Sequence, residues 1–172
     1  MTDMMKSSPG APLVPEGNAM LSNMGPAAYA NRADVPDLTR TGLARIVPLR
    51  AAPGFHLDPK SPDARGMQVV GVDNEIAGTV VDIWVDRAEP SPRYYELQLA
   101  EHAHTVLLPF TCARIRLRQG EVAVKSITGA QFALVPVIAT PDRVTLLEED
   151  KIMAYYASGY MYALPGRQEP FF

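Results

Sequence analysis

The sequence predicts a mainly β fold with a C-terminal helix: a small antiparallel barrel preceded by an extended, irregular N-terminal arm. Three observations carry this. Short apolar runs with period-two alternation follow one another from about Gln68, separated by turn residues, which is the pattern of a small barrel or strongly bent sheet. The first 66 residues are rich in Pro, Gly, Ala and Met and hold no sustained period. After position 144 the chain changes to a capped run of good helix formers.

Taken in order, residues 1–66 read as the arm and an irregular segment, with scattered apolar anchors such as Val35, Leu38, Ile46, Val47 and Leu49 lying across a surface. Residues 67–143 read as the barrel. In "TVVDIWVD" alternation places Val81, Ile83 and Val85 on one face and Val80, Asp82, Trp84 and Asp86 on the other. In "YYELQL" Tyr95, Leu97 and Leu99 share a face, a turn follows at 101–104, and "TVLLPF" is the next strand. "ARIRLRQGEVAVKS" reads as a hairpin about Gln119-Gly120, with Arg114, Arg116 and Arg118 opposite Ile115 and Leu117. Residues 144–163 are the helix region. Thr145 and Glu148 have the spacing of a capping box, and Glu148, Glu149 and Asp150 sit at the positive end of the helix dipole, so a helix is expected from Leu146 to Ser158, with Gly159 ending or bending it. Residues 164–172 form a tail ending in Phe171 and Phe172.

Composition bounds the function. A chain of 172 residues with 47% hydrophobic and 20% charged residues has one domain with a real core. The net charge of −3, with both signs interspersed, leaves no electrostatic footprint for nucleic acid. A single cysteine, Cys112, excludes an internal disulfide and a zinc knuckle; it sits in a strand-like run as a small buried hydrophobe, and a reducing compartment fits. The N-terminus has no apolar run long enough for a signal peptide or a span, so the chain is expected not to be an integral membrane protein by itself.

Candidate chemistry concentrates in the stretch 75–99. Asp86, Glu89 and Arg93 place carboxylates beside a guanidinium, which either exchange protons through water or form an ion pair at a strand end. Trp84 is expected to pack in the barrel or at a subunit interface. His102 and His104, in "EHAH", share a face but have no evident third ligand, so no metal is expected. Arg114, Arg116 and Arg118 suit an acidic partner surface or anionic headgroups, or simply a solvated hairpin face. No nucleophile with a base, Gly-rich phosphate loop or metal signature stands out, so an enzyme is not expected.

Longer collinear stretches carry a resemblance. "EIAGTVVDIWVD", the "LLP" of 107–109 and "VTLLEEDKIMAYYASGYMYA" resemble the H subunit of the purple-bacterial photosynthetic reaction centre, as do "GPAAYANRADVPDL" and "AAPGFH" upstream. The resemblance runs from about Gly25 to Ala163 and implies a PRC-barrel followed by a helix. It also implies a cytoplasmic domain that caps the quinone-bearing core, without the membrane helix that precedes this domain in the family. Asp86, Glu89 and Arg93 fall where that family lines the inner part of a proton path. At its surface entrance, where the family has an aspartate and two histidines, this chain has Thr39, Thr41 and Leu43.

The function expected from the resemblance is a non-enzymatic accessory subunit, peripheral on the cytoplasmic face of the photosynthetic membrane and held there by protein contacts. Its expected partners are a reaction-centre H subunit, the core L and M subunits and antenna polypeptides. Bacteriochlorophyll and quinone belong to other subunits, and this chain binds no cofactor directly. Trp84, the three arginines of 114–118, Phe171 and Phe172 are the partner-contact candidates. The rival expectation is the proton-delivering half of a split H subunit that supports reduction of the secondary quinone. An RNA-processing PRC-barrel protein is disfavoured by the absence of a basic face.

Overall fold

The computed structural model describes residues 15–167. Seven strands form one sheet: β1 Ile46–Pro48, β2 Gln68–Val70, β3 Ile76–Asp86, β4 Ser91–Leu99, β5 Thr105–Pro109, β6 Ala113–Arg116 and β7 Glu121–Val124. Their order is β5-β4-β3-β2-β7-β6, and β1 pairs with the end of β3 at Trp84–Asp86. The pairings are antiparallel except β2 with β7, which run parallel, a departure from the all-antiparallel expectation. One helix follows, α1, Leu146–Tyr162.

The sheet bends because two bulges interrupt its longest ladder. Val80 pairs with Leu97 and Asp82 with Glu96, so Val81 is an extra residue on β3 and stands 48% exposed. The simple alternation expected for Val81, Ile83 and Val85 is therefore broken at its first member. From Asp82 to Asp86 every residue of β3 is buried, because residues 44–50 cover one face and the barrel interior covers the other. A second bulge falls where Trp84 pairs with Tyr94 but Val85 with Pro92, which leaves Arg93 as the extra residue of β4 and re-aims its side chain. Gly78 permits the close β3–β4 approach at the other end: a Cβ there would lie 2.1 Å from the Gln98 carbonyl oxygen.

The expected hairpin is β6 and β7, but its arginines are not one stripe. Arg116 is half-buried and ion-paired with Glu121 at 3.0 Å, while Leu117 and Arg118 lie beyond the strand in the exposed turn. Cys112 occupies the 3-10 turn Phe110–Cys112 rather than a strand and is half-buried, with burial pushing its thiol pKa up.

Helix α1 begins as expected. Thr145 Oγ1 accepts from the Glu148 N–H, and the Glu148 carboxylate accepts from the Thr145 N–H. The helix then continues to Tyr162 instead of stopping near Ser158. Ile152, Tyr155, Tyr156 and Gly159 form its buried stripe. The Tyr156 hydroxyl donates to the Leu107 carbonyl on β5 at 3.0 Å, and Tyr155 donates to the Gln131 carbonyl. Gly159 is a contact residue and not a stop: a Cβ would stand 2.4 Å from the Ser126 carbonyl oxygen.

The N-terminal segment is irregular, as expected, yet it is fastened. The 3-10 turns Ala19–Leu21 and Gly25–Ala27 pack on α1. Two otherwise unpaired N–H groups of the helix start, those of Leu146 and Leu147, donate to the carbonyls of Val35 and Ala33 at 3.0 and 3.3 Å. Thr145 also donates to Asp34 at 2.7 Å. β1 lies within this segment and has no sequence period because three residues are too few to show one. Phe171 and Phe172 lie outside the described residues.

Candidate functional site

Two sites are built around buried carboxylates, Asp86 on β3 and the pair Asp82 on β3 and Glu96 on β4, and arginines of the N-terminal segment reach both. Asp86, at the strand end, is fully buried. Arg45 Nε donates to both of its oxygens at 2.9 Å, and Arg93 Nη1 donates to Oδ2 at 3.4 Å. The backbone N–H groups of Ala88 and Glu89 donate to Oδ1 at 2.9 and 3.1 Å. Burial pushes the Asp86 carboxyl up, but the Arg45 hydrogen bond and the two N–H groups outweigh it and hold Asp86 below the usual aspartate range. It is an ionised anchor with its lone pairs occupied.

Of the three residues expected to act together here, Asp86 and Arg93 meet. Glu89 does not join them: its side chain is 81% exposed and only grazes Arg45 at 3.9 Å. Arg45 also reaches Asp37 at 3.5 Å, so a surface carboxylate flanks the guanidinium on its far side.

The second cluster surrounds Arg50. Its Nη1 donates to Asp82 Oδ2 at 3.1 Å and to Glu96, and its Nε donates to Asp142 at 3.2 Å. Asp82 and Glu96 are 5% and 4% exposed and face one another across the β3–β4 ladder. Neutral donors complete their shells: the Ile83 N–H to Asp82 at 2.7 Å, the Thr105 hydroxyl to Glu96 at 3.1 Å, and the Trp84 indole N–H to Glu96 at 3.4 Å. Burial weakens the hold of Arg50 on its proton, but Glu96 and then Asp82 reverse this and keep it above the ordinary arginine value.

Trp84 is fully buried inside the chain, which corrects its assignment as a partner contact; its indole supports Glu96 instead. Arg114 is exposed at the rim of an apolar cavity of about 650 Å³ that Phe55, Ile83, Tyr95, Phe110 and Ile115 also line. His102 and His104 are exposed in the turn with ring centroids 5.5 Å apart, and among the described residues no three metal-binding side chains come together. Thr39 and Thr41 hydrogen-bond each other at 3.1 Å, and Leu43 is 55% exposed.

Arg45, Arg50 and Glu96 are the residues that sequence reasoning passed over. A signal for them existed. Asp82 and Glu96 are charged residues inside apolar strands, and buried carboxylates require cations and donors. Nothing local points to Arg45 and Arg50 as partners of these carboxylates, because the buried groups they hold lie 41, 32 and 46 residues away.

Comparison with known families divides the chain at this seam. Residues 1–51 match the photosynthetic reaction centre, H-chain N-terminal region, and residues 60–131 match the PRC-barrel domain. Arg45 and Arg50 lie in the first match and Asp82, Asp86 and Glu96 in the second, so both clusters join one matched region to the other.

Proposed function

We propose, for a chain that carries the reaction-centre H-chain N-terminal region joined to a PRC-barrel, the role of a non-enzymatic accessory subunit that docks on the cytoplasmic face of a photosynthetic reaction centre and stabilises it. The observation that carries this reading is the seam itself. Arg45 and Arg50 fix the H-chain-like segment onto the barrel through buried carboxylates, which yields one rigid surface. A rigid surface is what docking needs, since it lowers the ordering cost of association. Val35, Leu38 and Leu43, each more than half exposed in that segment, supply apolar contact area for the core L and M subunits, an H subunit or antenna polypeptides. No helix among the described residues is long and apolar enough to cross a membrane, so in this reading these contacts hold the described domain at the membrane.

The geometry at Asp86 favours docking over proton delivery along Asp86, Glu89 and Arg93. A relay carboxylate must gain and lose a proton, whereas Asp86 is held ionised and Glu89 points into solvent. The test is gentle solubilisation of photosynthetic membranes followed by size separation and mass spectrometry. The chain is expected in the reaction-centre fraction at fixed ratio to the L and M subunits. Its absence from that fraction contradicts the reading.

A further inference from the structure

The apolar cavity at Arg114 plays no part in the seam. Its volume of about 650 Å³ is that of a small-molecule pocket and far exceeds a packing gap. Its walls come from separate parts of the fold: Phe55 and Leu57 of the irregular segment, Ile83 of β3, Tyr95 of β4, Phe110 of the 3-10 turn and Ile115 of β6. Phe110 is 42% exposed, with its ring centroid 5.4 Å from that of the buried Tyr95, so part of this aromatic wall stands open to solvent.

The mouth holds a cation without a partner. Arg114 is exposed and pairs with no carboxylate among the described residues, whereas Arg116, two positions along, is held by Glu121 at 3.0 Å. The only carboxylate in the lining, Asp58, accepts the Lys60 N–H at 2.9 Å within its own turn. His56, also exposed in the lining, adds a ring N–H donor. An unpaired guanidinium can donate two parallel hydrogen bonds to one carboxylate.

We propose that this cavity binds a long-chain fatty acid, with the hydrocarbon tail along Phe55, Ile83, Tyr95 and Ile115 and the carboxylate against the Arg114 guanidinium at the mouth. The match is one of chemistry. Uncharged walls suit methylenes, each of which adds about fourfold in affinity when it leaves water, and a single guanidinium suits a single anionic head. A ligand polar along its length would leave hydrogen-bonding groups unpaired against the same walls. This goes beyond the docking reading and does not depend on it, because the site lies within one chain and needs no protein partner.

The experiment is isothermal titration calorimetry of the full chain with laurate below its micelle concentration. Decanoate, dodecanol and phosphatidylglycerol vesicles serve as comparisons, and R114A and I115W are run alongside the wild type. Laurate is expected to bind one per chain, and decanoate roughly tenfold more weakly because it buries two methylenes fewer. R114A is expected to lose about fivefold in laurate affinity and nothing in dodecanol affinity. I115W, which puts a large side chain into the cavity, is expected to abolish binding of both. Failure of laurate to bind, equal affinities for laurate and decanoate, equal losses for laurate and dodecanol in R114A, or unchanged binding in I115W overturns the proposal. Binding to the vesicles without binding to laurate also overturns it, since the surface is then a membrane contact. R114A keeps the test open if I115W does not fold, because Arg114 is exposed and holds no ion pair among the described residues.

Discussion

The two seam clusters solve the same burial problem with opposite stoichiometry. At Asp86 one carboxylate has two arginines and two backbone N–H groups. At the other cluster two carboxylates share Arg50, which also serves the exposed Asp142. The difference teaches that buried charge is tolerated either by redundancy or by neutral donors. Asp86 can lose one partner and still be satisfied, whereas Asp82 and Glu96 depend on one cation and on neutral donors for the rest: the Arg50 and Ile83 backbone N–H groups, Thr105 and Trp84.

Arg50→Ala is therefore expected to have the largest effect. It strands two buried carboxylates, and the loss is expected at about 3 kcal/mol, the low end for a broken buried pair because the guanidinium is 42% exposed. Denaturant unfolding measures it, and E96Q added to R50A is expected to recover part of the loss. Asp86→Asn comes next at about 2 kcal/mol, since the exposed sides of Arg45 and Arg93 are re-solvated once the anion is gone. Arg45→Ala is expected to cost less than Asp86→Asn, and Arg93→Ala less than Arg45→Ala, because Arg93 stands at the longer distance and is 43% exposed. Equal losses for R45A and R50A break the contrast between redundancy and dependence.

The pH dependence sharpens the contrast further. The Asp86 pKa is lowered on folding, so its stabilisation is complete above the ordinary aspartate value of 3.8 and disappears as pH falls through its lower folded value. The Glu149 pKa is raised, so its contribution is complete below the ordinary glutamate value of 4.5 and is lost as pH rises through its higher folded value. The acid-side slope of stability against pH is expected to shrink in D86N, with the part from Asp63 remaining, and the opposing slope above 4.5 is expected to shrink in E149Q. The smallest effect is optical. The emission of Trp84, the only tryptophan, is expected to change in E96Q, where the acceptor beside its indole N–H loses charge.

These contrasts also mark what the sequence made legible. The hairpin 113–124, the capping box at Thr145 and the strands around "DIWVD" and "YYELQL" are local patterns, and each is present in the fold. The bulge at Val81 was not legible, because one extra residue changes no composition and yet shifts which side chains share a face. Gly159 read as an end or a bend of the helix because sequence alone cannot distinguish a glycine needed for a left-handed turn from one needed for a close contact with Ser126. At the site, Asp86 and Arg93 were within reach because seven residues separate them across one turn. Arg45, Arg50 and Glu149 come from distant parts of the chain, and only the fold brings them to β3 and β4.

The central claim is that arginines 45 and 50 hold the H-chain-like segment on the barrel as one surface. Amide hydrogen exchange on wild type and on the R45A/R50A double variant tests it most directly. The account predicts that protection falls several-fold across residues 33–51 in the double variant while β4 and β5 keep theirs. Unchanged protection across 33–51 contradicts it.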